Sequence, residues 1–391
     1  MSGARGFPYW RLAGFYFFYF AALGAFLPYW GLYLESQGYM PQQIGQLMAL
    51  VAATKIFAPN LWGWLADRTG TGVRLIRLAS FATVCSFAGV FWSLGFWWLF
   101  LVTLVFSFFW NACLPLFEAL TLRHLDRDTH RYSRIRLWGS VGFIVTVGLL
   151  GKGLQWELLI DCLPQLVWML LVAVWLSSLV TPRAGWSAEH DTQRFWRIFS
   201  RGEVLAFFVV VMLLQLSHGP YYVFFSIHLA DHGFSPDRIG ALWALGVAAE
   251  IVLFLFIHRL FGQFSLRQVL LTSIALSAVR WLLIAWATQS LGLLLIAQIL
   301  HAASFGSTHA VGIQLTHRYF TGRNRSRGQG LYSSVSFGLG GALGSLLSGQ
   351  AWVPLGAARV YSLAAGLCLV SWLIAWIGVD RRIGSFRTVT R

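Results

Sequence analysis

The sequence predicts an all-α integral membrane protein with twelve transmembrane helices in two six-helix bundles related by pseudo-symmetry. Three observations support this fold class. Hydrophobic residues make up 57% of the 391 residues and charged residues only 11%, far below the roughly 25% charged residues of a soluble globular chain. Apolar runs of about 20 residues, long enough to cross a bilayer, occupy most of the chain. A set of residues in the first half also recurs in the same order in the second half.

The apolar runs define the elements in order. A polar cluster near the middle of the chain separates six runs from six. We therefore expect an N-terminal bundle over residues 1–181, a cytoplasmic linker over 182–202 and a C-terminal bundle over 203–391. The predicted spans are 9–33, 42–66, 74–94, 96–121, 136–156, 160–181, 203–230, 237–258, 266–289, 291–317, 328–350 and 356–379.

The formal net charge of +15 has a topological explanation. If the N-terminus is cytoplasmic, the segments on the inner side hold 24 of the 29 lysine and arginine residues. This positive-inside bias places both termini in the cytoplasm and requires an even number of spans. The excess of basic over acidic residues therefore indicates a protein in a lipid bilayer, and it does not indicate nucleic-acid binding.

The internal repeat keeps both order and spacing. Its members lie 195 positions apart: Gly38, Pro41, Ile44 and Gly45 recur as Gly233, Pro236, Ile239 and Gly240. Two such halves are typical of carriers that bind substrate near the bilayer midplane, where the halves meet. The same offset maps Lys55 of span two onto Glu250 of span eight. Each half thus places one ionisable residue, of opposite sign, at the same depth.

In the second half, several polar residues fall at one depth. Counting residues from the span ends places Glu250, Arg280, His218 and His301 within about 5 Å of one level, with Gln298 one turn from the second histidine. Ionisable residues inside a membrane mark functional sites. We interpret Glu250 as the proton carrier and His218 or His301 as a relay or as a hydrogen-bond donor to substrate. The alternative is a static ion pair between Glu250 and Arg280. Between these two interpretations, it stays open whether Arg280 faces the substrate.

In the first half, Lys55 and Asn111 match in depth. No opposite charge lies at the level of the lysine in this half, so it is the natural site for an anionic group of a substrate. The alternative is a salt bridge with Glu118, which lies two helical turns deeper than Asn111 and is more typical of a cytoplasmic gate. Glycine and other small residues concentrate in span eleven over 334–349, which predicts close helix packing between the bundles.

Two sets of residues resemble a known family. The turn over 63–70, GWLADRTG, resembles the loop between helices 2 and 3 of the major facilitator superfamily. Longer strings resemble its phenylpropionate permease branch, the proteins similar to 3-phenylpropionic acid transporters. They are FLPYW at 26–30, LPLFEA at 114–119, RIRLWGS at 134–140, AE at 249–250, VRW at 279–281 and QILH at 298–301.

The resemblance implies import of an aromatic acid by proton symport. Lys55 would face the carboxylate of the substrate. The aromatic side chains expected to face the ring are Tyr29, Trp30, Tyr221 and Tyr222. The charged turn at Asp67 and Arg68 is expected to act as a latch that holds the cytoplasmic side closed.

Other chemistry is not indicated. The chain has no Walker loop, no metal-ligand spacing and no nucleophile motif, so we expect no enzymatic activity, metal or cofactor. The sequence favours a proton-coupled importer of a small aromatic carboxylate, monomeric in a bacterial inner membrane. Two alternatives stay open. One is a proton symporter for a nucleoside or a sugar, and the other is a non-transporting membrane sensor on a carrier fold.

Overall fold

The computed structural model describes residues 7–125, 129–154, 160–182 and 195–379, and this part of the chain contains helices and turns without strands. The twelve predicted spans are confirmed as twelve helical segments. The first six are α1 (Tyr9–Ser36), α2 (Pro41–Thr69), α3 (Gly72–Phe91), α4 (Phe96–Leu125), α5 (Thr129–Gly153) and α6 (Leu163–Leu179).

The second six follow a short helix at Phe195–Phe199. They are α7 (Gly202–Asp231), α8 (Pro236–Gln263), α9 (Leu266–Trp286), α10 (Leu291–Tyr319), α11 (Arg325–Ser333, Ser334–Gly340 and Gly341–Leu355) and α12 (Ala357–Gly378). Ten helices of the described chain are long and apolar enough to cross a membrane. Most of the predicted linker lies outside the described residues, so the boundaries between bundles stay a prediction.

Four segments depart from the straight helices that the hydropathy pattern predicts. α2 passes through a 3₁₀ turn at Thr54–Ile56, and α7 is interrupted at His218. Each break lies just before a proline, Pro59 or Pro220, which cannot donate to the carbonyl four residues earlier. In α10 and α11 the helix widens into π-helical turns at residues 302–307 and 334–340 without a proline.

The two bundles meet along α2 with α11, α5 with α8, and α1 with α7. Glycine makes the closest approaches possible. A β-carbon on Gly45 of α2 would lie 2.7 Å from the Cα atom of Gly349 in α11. A β-carbon on Gly240 of α8 would lie 2.7 Å from the carbonyl oxygen of Val147 in α5. These crossings hold the two halves together near the N-terminal ends of α2 and α8.

The small residues of α11 serve both sides of this helix. Gly338 lies against Ile56 of α2, where an added β-carbon would be 3.0 Å from the backbone nitrogen. Gly344 lies against α7, with the carbonyl oxygen of Leu216 2.4 Å from the position of a β-carbon. The predicted close packing of span eleven is therefore confirmed, and it joins α11 to α7 within one bundle as well as to α2 across the interface.

Candidate functional site

The break in α2 sets the position of Lys55. Pro59 has no N–H to offer the carbonyl of Lys55, and its ring would clash with that carbonyl in a regular helix. The chain therefore tightens into the 3₁₀ turn and resumes as a helix at Ala58. The carbonyl of Ile56 accepts a hydrogen bond from Ser334 Oγ of α11 at 2.8 Å. The turn that carries the lysine is thus attached to the opposite bundle.

The Lys55 side chain is partly buried. Within the residues that the structure describes, its ammonium group has no hydrogen bond and no ion pair, so the predicted alternative of a bridge to Glu118 is wrong. Asn111 lies beside it on α4 and donates through Nδ2 to Val51 O and Thr54 Oγ1, both at 2.8 Å. The amide therefore fixes the α2 break in place. The amine stays available to an anion.

Glu118 has a different partner. Its Oε1 atom lies 3.5 Å from Nε of Arg136 on α5, and each side chain is 31% exposed. The guanidinium group also stacks over the Phe20 ring at 4.0 Å. Glu118 is therefore paired within the first bundle and is not the counter-ion of Lys55.

The second bundle brings two predicted residues into direct contact. Nε2 of His301 on α10 lies 2.7 Å from Oε1 of Glu250 on α8, and the side chains are 7% and 15% exposed. Nδ1 of His301 is buried without a hydrogen-bond partner among the described residues. Gly246, one turn from Glu250 on α8, leaves the space in which this ring packs. The pair can hold a proton on either partner.

Arg280 does not pair with a carboxylate in the described chain. It is completely buried, donates from Nε to Ala297 O at 3.0 Å and from Nη1 to Ser304 Oγ at 2.9 Å. Its guanidinium carbon lies 4.2 Å from the centre of the Tyr221 ring. The alternative of a static Glu250–Arg280 ion pair is therefore wrong. The guanidinium is instead held by hydrogen bonds to α10 and by aromatic faces.

The remaining predicted residues of this bundle surround that core. Oη of Tyr221 donates to Oε1 of Gln298 at 3.0 Å, and both side chains are buried. His218, at the α7 break, is 1% exposed and stacks edge-on against Trp281. Tyr222 is partly buried and stacks on His218 with 5.8 Å between ring centres. The residues predicted at one depth do form one cluster.

Tyr29 and Trp30 lie elsewhere. Tyr29 Oη donates to Val147 O at 2.8 Å, at the crossing of α1, α5 and α8. Trp30 packs inside the first bundle against the rings of Phe26 and Phe87. Both side chains are enclosed by protein, with 0% and 2% exposure. A contact between either ring and a substrate would therefore require a different conformation.

The charged turn ends α2. The guanidinium group of Arg68 lies over the Trp64 ring at 5.3 Å, and Asp67 interacts with neighbouring residues. Gly70 closes the helix with a left-handed φ of 64°, a conformation that glycine adopts without steric cost. No group of three or more His, Cys, Asp or Glu residues with metal-binding geometry occurs in the described segments.

Comparison with known proteins gives consistent matches. The MFS_1 like family model matches residues 9–363. The probable 3-phenylpropionic acid transporter of Escherichia coli (strain K12) is 31% identical over 367 residues, which cover 89% of this chain and 92% of that protein. The maltose permease of Geobacillus stearothermophilus is 29% identical over 345 residues, 86% of this chain and 85% of that protein.

A solved structure has the same architecture. The crystal structure of the nucleoside transporter NupG superposes with a TM-score of 0.82 over 95% of this chain and 99% of that chain, at 19% sequence identity. At this identity the likeness concerns the fold.

Proposed function

This chain belongs to the MFS_1 like family of membrane transporters, and on that premise we propose that it imports a small aromatic carboxylate, such as 3-phenylpropionate, together with a proton. The observation that carries the proposal is the amine of Lys55, which lies inside a spanning helix without a partner in the described chain. The 31% identity to a probable 3-phenylpropionic acid transporter supports the choice of substrate.

The proposed binding of an anionic substrate follows from the cost of burying the charge of Lys55. An ammonium group at this depth costs a few kcal/mol unless it is paired or hydrated. A carboxylate on the substrate would supply the missing partner, and Asn111 would keep the α2 break in the shape that presents the amine. Lys55 is thus the proposed carboxylate site, and Asn111 is a positioning residue.

The proposed coupling to protons depends on Glu250 and His301. A protonated Glu250 can donate a hydrogen bond to a neutral imidazole across the observed 2.7 Å. If that proton leaves, a buried carboxylate remains, and the positive charge of Arg280, which interacts with it electrostatically, offsets part of the cost. The pair therefore has two states that differ by one proton. His218, Tyr221 and Gln298 form the polar surroundings of this pair.

We assign the cytoplasmic gate to two charged groups. The Glu118–Arg136 pair is accessible in this conformation, with both side chains 31% exposed. The Asp67–Arg68 turn lies at the end of α2, beyond the first half of the helix, which contacts α11. In this proposal both termini are cytoplasmic, as the positive-inside bias predicts.

Uptake into proteoliposomes tests the proposal. Purified protein is reconstituted with an acidic exterior and an alkaline lumen, and labelled 3-phenylpropionate is added outside. We expect accumulation above the outside concentration, lost when a protonophore collapses the gradient. Equilibration without accumulation would refute proton coupling. No uptake of any aromatic carboxylate would refute the substrate class, and no uptake of any candidate substrate would favour a non-transporting sensor.

A neutral sugar is the second candidate, because the chain is 29% identical to a maltose permease over 86% of its length. Its binding would depend on hydrogen-bonding side chains such as Gln298 and would not require an unpaired cation. Maltose and a nucleoside such as uridine are therefore included in the same uptake assay. Saturable uptake of either, with none of the acids, would replace the first proposal by this one.

A further inference from the structure

A small cavity lies within the second bundle, between α7, α10 and α11. Neither Lys55 nor the Glu250–His301 pair lines it, whereas His218 does. Its volume corresponds to about one water molecule. Its buried lining combines the apolar Val211 and Leu214 with four polar side chains, those of His218, Ser304, Thr308 and Ser336. Such a space can hold one hydroxyl group, and it is too small for an aromatic ring.

Among the residues that line this cavity, His218 has an unused hydrogen-bond acceptor. Nδ1 of the imidazole lies 2.7 Å from the carbonyl oxygen of Leu214. Because a carbonyl oxygen only accepts, Nδ1 carries the hydrogen, and Nε2 of the neutral ring therefore has a free lone pair. Nε2 is buried and has no hydrogen-bond partner in the described chain. A buried acceptor in that state favours a ligand that brings a hydrogen-bond donor.

The rim of the cavity is aromatic. Phe305 and His309 of α10 are stacked with 9° between their planes, and the ring of Phe337 on α11 lies 5.9 Å from that of Phe305. These rings are partly exposed, whereas the polar lining behind them is buried. Phe305 and Phe337 both stand on the π-helical turns of their helices, and such turns are frequent at functional sites. A flat ring is a suitable ligand for this rim.

The rim also adjoins the anion site. Gly338 follows Phe337 in α11 and touches the backbone of Ile56, the residue after Lys55. One helix contact therefore separates the residue that would hold the carboxylate from the residue that lines the cavity. A compact molecule with a carboxylate at one end and a ring at the other can reach both.

We propose that the cavity receives a hydroxyl group carried by the aromatic ring of the substrate, so that this transporter selects hydroxylated aryl carboxylates over their unsubstituted analogues. The inference rests on the proposed function and deepens it. The ring would stack at the rim formed by Phe305, His309 and Phe337, and its hydroxyl would donate to Nε2 of His218. The carboxylate would remain on Lys55.

Equilibrium binding to the purified wild-type protein tests the inference without any substitution. The ligands are 3-phenylpropionate, its ortho-, meta- and para-hydroxyphenyl analogues, and the methoxy analogue of whichever isomer binds best. We expect one hydroxy isomer to bind about 10-fold more tightly than 3-phenylpropionate, the gain of one buried hydrogen bond. The methoxy compound, which cannot donate, should lose that gain.

Two matched variants locate the effect. His218→Phe keeps an aromatic ring and removes the acceptor, so the affinity ratio between the hydroxylated and plain acids should fall to about one. His228→Phe makes the same exchange at another buried histidine of α7, which bonds to Thr288 and does not line the cavity. This control should keep the wild-type ratio.

The outcomes separate the two proposals. If 3-phenylpropionate binds and no hydroxylated isomer binds more tightly, the cavity holds only a structural water and the inference is overturned, while the proposed function stands. If none of the acids binds, the proposed function fails first. A preference for one isomer that survives in His218→Phe would overturn the assignment of the acceptor.

Discussion

Replacing Lys55 by methionine tests the central claim of the proposed function. Methionine has a side chain of similar length that fills the same space without charge or donors. The substitution should weaken binding of aromatic carboxylates and leave binding of a neutral sugar or nucleoside, if any occurs, nearly unchanged. The measurement is equilibrium binding of 3-phenylpropionate to purified protein, with uptake into proteoliposomes as the functional readout.

The magnitude follows from the surroundings of the amine. Two unit charges about 4 Å apart attract each other by about 4 kcal/mol at an effective dielectric constant of about 20. Desolvation offsets part of this attraction, and truncating one partner of a buried charge pair costs about 2 to 5 kcal/mol in measured complexes. We therefore expect affinity to fall by about 30-fold or more, since each 1.4 kcal/mol corresponds to about a tenfold change.

The chain provides a close control. Its only other lysine is Lys152, which is exposed near the end of α5. Lys152→Met removes the same charge from the same kind of side chain and should leave affinity within about twofold, because an exposed charge beyond a Debye length is screened. Lys55→Arg should recover part of the binding. Equal losses in the two methionine variants, or no loss in Lys55→Met, would refute the assignment of the anion site.

Three further substitutions test the Glu250–His301 pair and the contact between the bundles at Gly45. Glu250→Gln keeps the hydrogen bond to the imidazole and cannot release a proton, so accumulation against a gradient should disappear while exchange of internal for external substrate continues; retained accumulation would exclude Glu250 as the proton carrier. His301→Phe leaves a buried carboxylate without its partner, which costs about 3 to 5 kcal/mol, so the melting temperature should fall more at alkaline than at acidic pH. An equal fall at both would mean that the pair carries no ionic character. Gly45→Ala places a β-carbon 2.7 Å from the Cα atom of Gly349 and should destabilise this conformation by about 1 to 3 kcal/mol, whereas Gly63→Ala, which meets nothing within 4 Å, should not. Equal melting temperatures for the two alanine variants would show that the α2–α11 contact does not limit stability.

The sequence was sufficient to predict the number of helical segments and the shared depth of two residues that the structure brings into contact. Residue counts from the span ends depend only on helical rise, so they predicted that Glu250 and His301 share a depth, and the structure places them 2.7 Å apart. Depth alone does not give the direction of a side chain around its helix axis. Because that angle is missing, the sequence also predicts Arg280 as a possible partner of Glu250, whereas the structure shows it donating to Ala297 and Ser304.

The local interruptions of the helices were the other feature that the hydropathy pattern could not predict. Pro59 and Pro220 are visible in the sequence and could have signalled the interruptions at Lys55 and His218. The π-helical turns of α10 and α11 contain no such residue. They arise in segments rich in small residues whose packing against neighbouring helices is a tertiary property, so the aromatic rim that they carry could not be inferred from periodicity.

The proposed mechanism assigns the two bundles electrically different tasks. In the second bundle, Glu250 contacts His301, and the positive charge of Arg280 belongs to the same cluster, so we expect either protonation state to have some compensation. The bundle could then gain or lose a proton without exposing an isolated charge. In the first bundle, Lys55 has no described carboxylate to compensate it. Closing the carrier around an empty site would therefore bury an unpaired ammonium group, which is expensive in a membrane. A bound carboxylate removes that penalty, so the substrate itself would lower the barrier to the change of access.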